Sequence, residues 1–475
     1  MATNEINAPA GGENKMGTMP VNRLLITMAL PMMISMLVQA LYNVVDSIFV
    51  SRISEDALTA VSMAFPMQNL LIGLASGLAV GMNALVSRAL GEKKQDTANQ
   101  MAMHGVFLSA CGYLIFLVIG LTIARWFFVV QGASDVIADY GYDYLSVVTC
   151  MSFGIFVEIT FERMLQSTGK TIYTMFTQGL GAIFNIIFDP ILIFGLFGAP
   201  KLGIAGAAWA TVLGQILAGC LALIFNIKVN KELHLDFRKF RLDLKAIGQI
   251  LYIGVPSVLM VAIGSVMTFS VNRILVVFSS TAVAVFGVYF KLQSFAFMPV
   301  FGLNNGMVPI IAYNYGALKP DRMIKTLKLA IFYATCIMVI AFAIFQILPE
   351  QLLLLFSASD EMLSIGVPSL RILSVCFLVA GANIVIGSFY QAVGNGIYSM
   401  LVSLFRQLVF LVPLAYLFSK TGNVNMVWLA WPIAEVAAVA CNAFFMFRIN
   451  RDTLRPLKAE AAKRENADTP NQITS

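Results

Sequence analysis

Charge is what this chain has least of. Only 12% of its 475 residues are Asp, Glu, Lys or Arg, against about 25% in an average soluble protein, which excludes a water-covered globular surface. Histidine is scarcer still. The two residues, His104 and His234, stand far apart in the expected topology and form no metal pair. All six cysteines (Cys111, Cys150, Cys220, Cys336, Cys376 and Cys441) fall inside apolar stretches, so neither a disulfide framework nor a zinc cluster has support. Residues 1–19 are polar and lack the apolar core and small-residue cleavage site of a secretory signal. With no nucleophile–base pair and no cofactor-binding loop, no enzyme and no organic cofactor are expected.

What the chain has is apolar length. Hydrophobic residues make up 59% of it, and about 20 in a row suffice to cross a bilayer as a helix. We read twelve such spans, at roughly 22–48, 58–88, 98–124, 137–161, 172–197, 203–227, 246–272, 282–312, 327–348, 362–389, 397–418 and 424–447. The expected division is a polar N-terminal tail (1–19), an N-lobe of helices 1–6 (20–228), a linker (229–245), a C-lobe of helices 7–12 (246–449) and a charged, mobile C-terminal tail (450–475). The linker region from 228 to 245 holds six basic residues (Lys228, Lys231, Arg238, Lys239, Arg241 and Lys245), and Lys319, Arg322, Lys325 and Lys328 follow another even-numbered span. By the positive-inside rule this places both termini in the cytoplasm and explains the basic clusters without nucleic acid.

The two halves are one design written twice. Pro31 and Pro256 are 225 residues apart (256 − 31), and the same offset pairs Gln68 with Gln293, Gly77 with Gly302, Gly81 with Gly306, Gly91 with Gly316, Lys94 with Lys319, Gly169 with Gly394 and Tyr173 with Tyr398. Six spans per repeat bring each half in from the same side, so the repeats are parallel and related by an axis along the membrane normal. Rocking of two lobes about a central cavity follows as the default motion. The glycines at 77, 81, 302 and 306 read as points of close helix approach, and those at 91 and 316 as helix C-caps.

The informative residues break the repeat. Asp46 falls opposite Val271 and Asp189 opposite Leu414, yet a carboxylate deep in a membrane costs about 2.5–3.5 kcal/mol on insertion scales. Gln39, Asn43 and Asp46 share one face of the first helix, and Gln178, Asn185 and Asp189 one face of the fifth. Pro190 removes a backbone donor beside Asp189 and should free the carbonyl of Ile186. Thr211 and Gln215 follow on the sixth helix. Such an oxygen-rich set suits a sodium ion at Asp46, Asn185 and Asp189, and two buried acids suit a proton equally well. Gln39, Asn43, Gln68, Gln178, Tyr289, Lys291 and Gln293 are the expected cavity lining, while Glu158 and Glu162 with nearby Arg163 read as an ion pair or a site.

The segments "ALPMMISMLVQALYNVVDSIFVSR" (Ala29–Arg52), "GLASGLAVGMNALVSRALGEKK", "MLQSTGKTIYTM" and "NIIFDPILIFGLFGAPKLGIAGAAWATVLGQ" resemble the multidrug and toxic compound extrusion (MATE) family, in its bacterial multidrug branch, from Pro20 to Arg448. The resemblance implies an all-α membrane protein of twelve helices in two six-helix lobes, V-shaped around a central cavity. It implies export of lipophilic, often cationic, small molecules against an inward H+ or Na+ gradient, and the expected protein is a monomer in the bacterial inner membrane. Carried over residue by residue, the family's coupling site is Asp46, Asn185, Asp189 and Thr211. Another branch keeps acids in the seventh and tenth helices, where this chain has Ser265, Thr268, Asn272 and Asn383. A flippase for a lipid-linked precursor shares the architecture, but a diphosphate headgroup asks for several cavity cations. A major-facilitator transporter would carry a glycine-aspartate-arginine pattern between spans two and three, which this chain lacks.

Overall fold

A computed structural model describes residues 14–468 apart from 237, 239 and 357. Residues 1–13 of the expected N-terminal tail, Lys239 of the basic linker and residues 469–475 of the C-terminal tail lie outside the described residues. Among the described residues, ten helices are long and apolar enough to cross a membrane, and two bent helix pairs bring the number to twelve. Span 1 is Val21–Ser51, span 2 Glu55–Gly91, span 3 Gln95–Thr122, span 5 Thr171–Phe194 and span 6 Ile204–Lys228. In the second half, span 7 is Leu244–Leu275, span 8 Ser280–Gly316, span 9 Pro320–Ile347 and span 11 Gly396–Ser419. Span 4 joins Asp135–Cys150 to Phe153–Ser167 across a 43° bend, and span 10 joins Asp360–Ser374 to Phe377–Ala392 across 51°. Span 12 begins at Val424, and its helix runs on through a π-helical turn at Asn450–Leu454 to Asp468. The expected mobile tail is therefore helical as far as Asp468, with Leu454 and Leu457 buried and Lys458 Nζ 3.4 Å from Asp321.

The repeat extends to the geometry of the helix ends. Ser54 and Ser279 cap spans 2 and 8 by accepting from the N–H of Ala57 and Ala282, each at 3.0 Å. Such caps satisfy an otherwise orphaned helix donor. Past the far ends of the same helices, Lys93 and Leu318 both take left-handed φ values, +59° and +55°. Gly91 and Gly316 are not the left-handed caps that the sequence suggests. Each is required by its neighbour across the lobe boundary: a Cβ on Gly91 would run into the carbonyl oxygen of Tyr313, and one on Gly316 into that of Arg88. Gly81 likewise faces the carbonyl of Ile250, and Gly306 the Cα of Ala29.

The lobes meet where span 2 packs on span 7 and span 1 on span 8, the most extensive helix contacts between the halves. Without a hydrophobic driving force inside the bilayer, close backbone approach and dispersion hold such a seam. At its linker end the Arg88 guanidinium also stacks over Tyr315 at 4.6 Å. The C-lobe interior is an aromatic core in which Phe286, Tyr289, Trp428 and Trp431 interlock.

Candidate functional site

Spans 1, 5 and 6 bring the sequence-predicted acids together inside the N-lobe. Asp189 is fully buried, and its carboxyl lies within hydrogen-bonding reach of Asp46. Asn185, one helical turn before Asp189 and 3% exposed, links the pair to span 6. With its amide assigned so that both neighbours are satisfied, its Nδ2 donates to Asp189 Oδ2 at 2.9 Å, and its Oδ1 accepts from the hydroxyl and the N–H of Thr211 at 3.1 and 3.2 Å. One oxygen of each acid, Asp46 Oδ1 and Asp189 Oδ1, is buried with no protein partner. Two carboxyls in such contact repel each other when both carry charge, so the pair offers a place for a shared proton or a cation. Pro190 lies inside span 5 without ending it.

Two tyrosines that the sequence reading passed over complete the surroundings. Tyr42 and Tyr144 both lie close enough to feel the charge of Asp46 and Asp189. Tyr42 had a legible signal, since it precedes Asp46 by four residues and so shares its helix face. Tyr144 had none, because only the packing of span 4 against span 2 brings it in. Its hydroxyl accepts from Gln68 Nε2 at 2.9 Å.

The remaining expected residues divide. Gln178 does not join the Asp46–Asp189 pair, for its Nε2 donates to Glu162 Oε2 at 2.8 Å. Glu162, 3% exposed, also accepts from Thr177 at 2.5 Å. Of the two readings open for Glu158 and Glu162 with Arg163, an ion pair or a site, the ion pair does not form at Glu162. Arg163 turns away, donating to Gln166 Oε1 and, across the lobe boundary, to Asn305 Oδ1, both at 2.9 Å. Gln39 is half-buried and Asn43 exposed, and neither side chain hydrogen-bonds to the acids. Tyr289 is a correction: at 1% exposure it is locked in the aromatic core, packed edge-on against Phe290, and lines no open cavity. Lys291 is exposed and Gln293 half-buried. Two residues apart on a helix point nearly opposite ways, so the pair could not have shared one face.

The second half builds a different polar centre. Arg406, carried on the π-helical stretch Phe405–Leu411 of span 11, lies 3.3 Å from Glu435 of span 12. Asn383 of span 10 donates to Glu435 Oε1 at 2.9 Å and accepts from Asn442 at 2.9 Å. Here the buried acid is neutralised by protein.

Comparison with known proteins matches these observations twice over. Residues 31–191 and again 256–417 fit the model of the family described as MatE. The multidrug export protein MepA of Staphylococcus haemolyticus is 26% identical over 428 residues, covering 90% of this chain and 93% of that protein. The FAD transporter of Shewanella oneidensis is 25% identical over 447 residues, covering 93% and 97%. Among solved structures, the outward-facing conformation of a multidrug resistance MATE family transporter superposes with a TM-score of 0.87 at 25% identity, over 95% of this chain and 100% of that one. A MOP superfamily transporter from Pyrococcus furiosus gives 0.88 at 25% identity, over 94% and 100%.

Proposed function

The chain belongs to the MatE family, and from that premise we propose that it is a secondary active multidrug exporter. It antiports lipophilic, cationic small molecules out of the cell against an inward ion gradient, by rocking of its two lobes. The Asp46–Asp189 contact carries this reading. A carboxyl pair in an apolar lobe, with one oxygen of each acid lacking a partner, can bind a coupling ion or a cationic substrate but not both, and that competition is antiport. The coupling site is Asp46, Asn185, Asp189 and Thr211. A proton is the ion this reading takes first, because two carboxyls in hydrogen-bonding reach of each other can share one. Sodium held by the two acids and the Thr211 hydroxyl is the alternative.

The protein works as a monomer in the bacterial inner membrane, with the linker end of the seam and both termini in the cytoplasm. The similarity to an FAD transporter favours a second reading, in which the substrate carries a diphosphate, as a flavin nucleotide or a lipid-linked precursor does. That substrate needs several free cavity cations, whereas Arg406 is taken by Glu435, Lys291 alone is left from the expected lining, and the N-lobe presents acids. Accumulation of a fluorescent lipophilic cation in pump-deficient cells separates the readings. Wild type should keep accumulation low and Asp46→Asn should return it to the empty-vector level. Equal accumulation in wild type and vector, with protein present in the membrane, would sink the exporter reading.

A further inference from the structure

The seam between the lobes is closed at its linker end by more than helix packing. Residues 14–19, upstream of span 1, lie across it. Asn14 caps the short helix Lys15–Thr18 by accepting from Met16 N at 2.9 Å, and its Nδ2 donates to the carbonyl of Thr168 at 3.3 Å and to Glu232 Oε1 at 2.8 Å. The other oxygen of Glu232 accepts from Lys170 Nζ at 2.7 Å. Thr168 and Lys170 belong to the N-lobe and Glu232 to the linker that follows it.

The opposite side of this segment is bound by the C-lobe. The Met16 side chain is fully buried in the C-lobe core. The Met16 carbonyl accepts from Asn314 Nδ2 and Arg322 Nη2, both at 3.0 Å. The Gly17 carbonyl accepts from Lys319 Nζ at 3.1 Å, and the Met19 carbonyl from Arg322 Nη2 at 2.7 Å. Arg322 is itself oriented by Asn314, whose Oδ1 accepts from Arg322 Nε at 3.0 Å. Carbonyls at a helix end have no intrahelical partner, and here the other lobe supplies the donors.

The repeat provides an internal control. Residues 240–244 are the equivalents of 15–19 at the 225 offset, and they run elsewhere: Asp243 N donates to His104 Nε2 at 2.9 Å, and Phe240 packs against the His104 ring at 5.0 Å. The equivalents of Asn314, Arg322 and Gly169 are Ala89, Thr97 and Gly394, and these line an open groove of about 720 Å³. One seam is strapped and its counterpart is not.

We propose that residues 14–19 are a clasp that holds the two lobes together at the linker end, with Arg322 as its positioning residue. The clasp must release whenever that end opens. It contacts Thr168 on one lobe and Asn314 and Arg322 on the other, so the lobes cannot part there with both sets of bonds intact. The clasp thereby sets how much of the population is closed at the linker end, whatever the substrate. It concerns the lobe equilibrium alone and stands or falls separately from the export reading.

The test is amide hydrogen exchange of the full chain in lipid nanodiscs without substrate. Arg322→Ala removes charge-assisted bonds to two carbonyls and should speed exchange about tenfold at residues 85–90 and 310–315, the linker ends of spans 2 and 8. Exchange at residues 44–50, at the other end of span 1, should stay constant or slow. Asn14→Ala frees the segment from the N-lobe side without touching Arg322, and it must shift the linker end in the same direction. If Arg322→Ala fails to fold, Asn14→Ala alone decides. Equal acceleration at both ends, as general loosening would give, overturns the clasp, and so does no acceleration at the linker end.

Discussion

The two lobes share a scaffold and differ in how they treat charge. In the N-lobe, Asp46 and Asp189 meet carboxyl to carboxyl, and Glu162 is held by Thr177 and Gln178. Among the described residues no Lys or Arg forms an ion pair with any of the three. In the C-lobe the buried Glu435 is paired with Arg406 at 3.3 Å and further bonded by Asn383. Caps, bends, left-handed turns and close glycines recur at the 225 offset, but the charged centres do not. The repeat is thus the part of the molecule that builds the scaffold, and the charged centres are where the two halves depart from it. An acid compensated by a fixed guanidinium has little reason to exchange protons or ions. On the proposed reading, an acid compensated only by another acid is the one that does.

The largest test of that contrast replaces the N-lobe acids. Asp189→Asn should abolish gradient-driven export, bringing dye accumulation to the vector level while protein stays in the membrane, since the carboxyl pair can no longer gain and lose a charge. Retained export would erase the distinction between the lobes. Glu435→Gln should act oppositely, leaving coupling intact but stability lowered. Removing one partner of a buried pair strands the other at about 3–5 kcal/mol, and the partial exposure of Arg406 trims this to about 2–4 kcal/mol. A fall in Tm in detergent, with export per folded molecule unchanged, is the expected pattern.

Smaller effects probe what the lobes share. Gly91→Ala and Gly316→Ala each drive a methyl group into a backbone carbonyl of the other lobe, an overpacking of about 1–3 kcal/mol. The two should lower Tm by similar amounts, and a large inequality would show that the seam is less symmetric than its backbone. Thr211→Ala removes one hydrogen bond to Asn185, worth about 0.5–1.5 kcal/mol. Export should slow severalfold without being lost, read as the initial rate of dye efflux. An unchanged rate would remove Thr211 from the coupling site.

Much of this was legible before any coordinates. A span needs only length and hydropathy, so twelve crossings and the repeat followed from the sequence, as did the two acids that interrupt it. Helical spacing put Asn185 and Asp189 on one face, because a helix fixes the relation between residues four apart. The same spacing relates Tyr42 to Asp46, four residues on, and sets Lys291 and Gln293 on different faces, two signals that the expected cavity lining did not use. Glu162 and Arg163 show where local reading stops: adjacency suggested an ion pair, yet tertiary contacts send one to Thr177 and Gln178 and the other to Asn305 of the opposite lobe.

By itself, then, the sequence determined the class, the count of spans, the doubling and the identity of the unusual acids, because each depends on composition or on spacing along one chain. Only the tertiary structure decided that Asp46 and Asp189 touch, that Tyr289 is sealed in an aromatic core, that Gly91 and Gly316 serve a seam between lobes, and that residues 14–19 strap that seam. These are relations between segments tens to hundreds of residues apart, and no local periodicity encodes which helix faces meet. What fixes them is the requirement that every backbone approach be sterically open and that buried polar groups find partners.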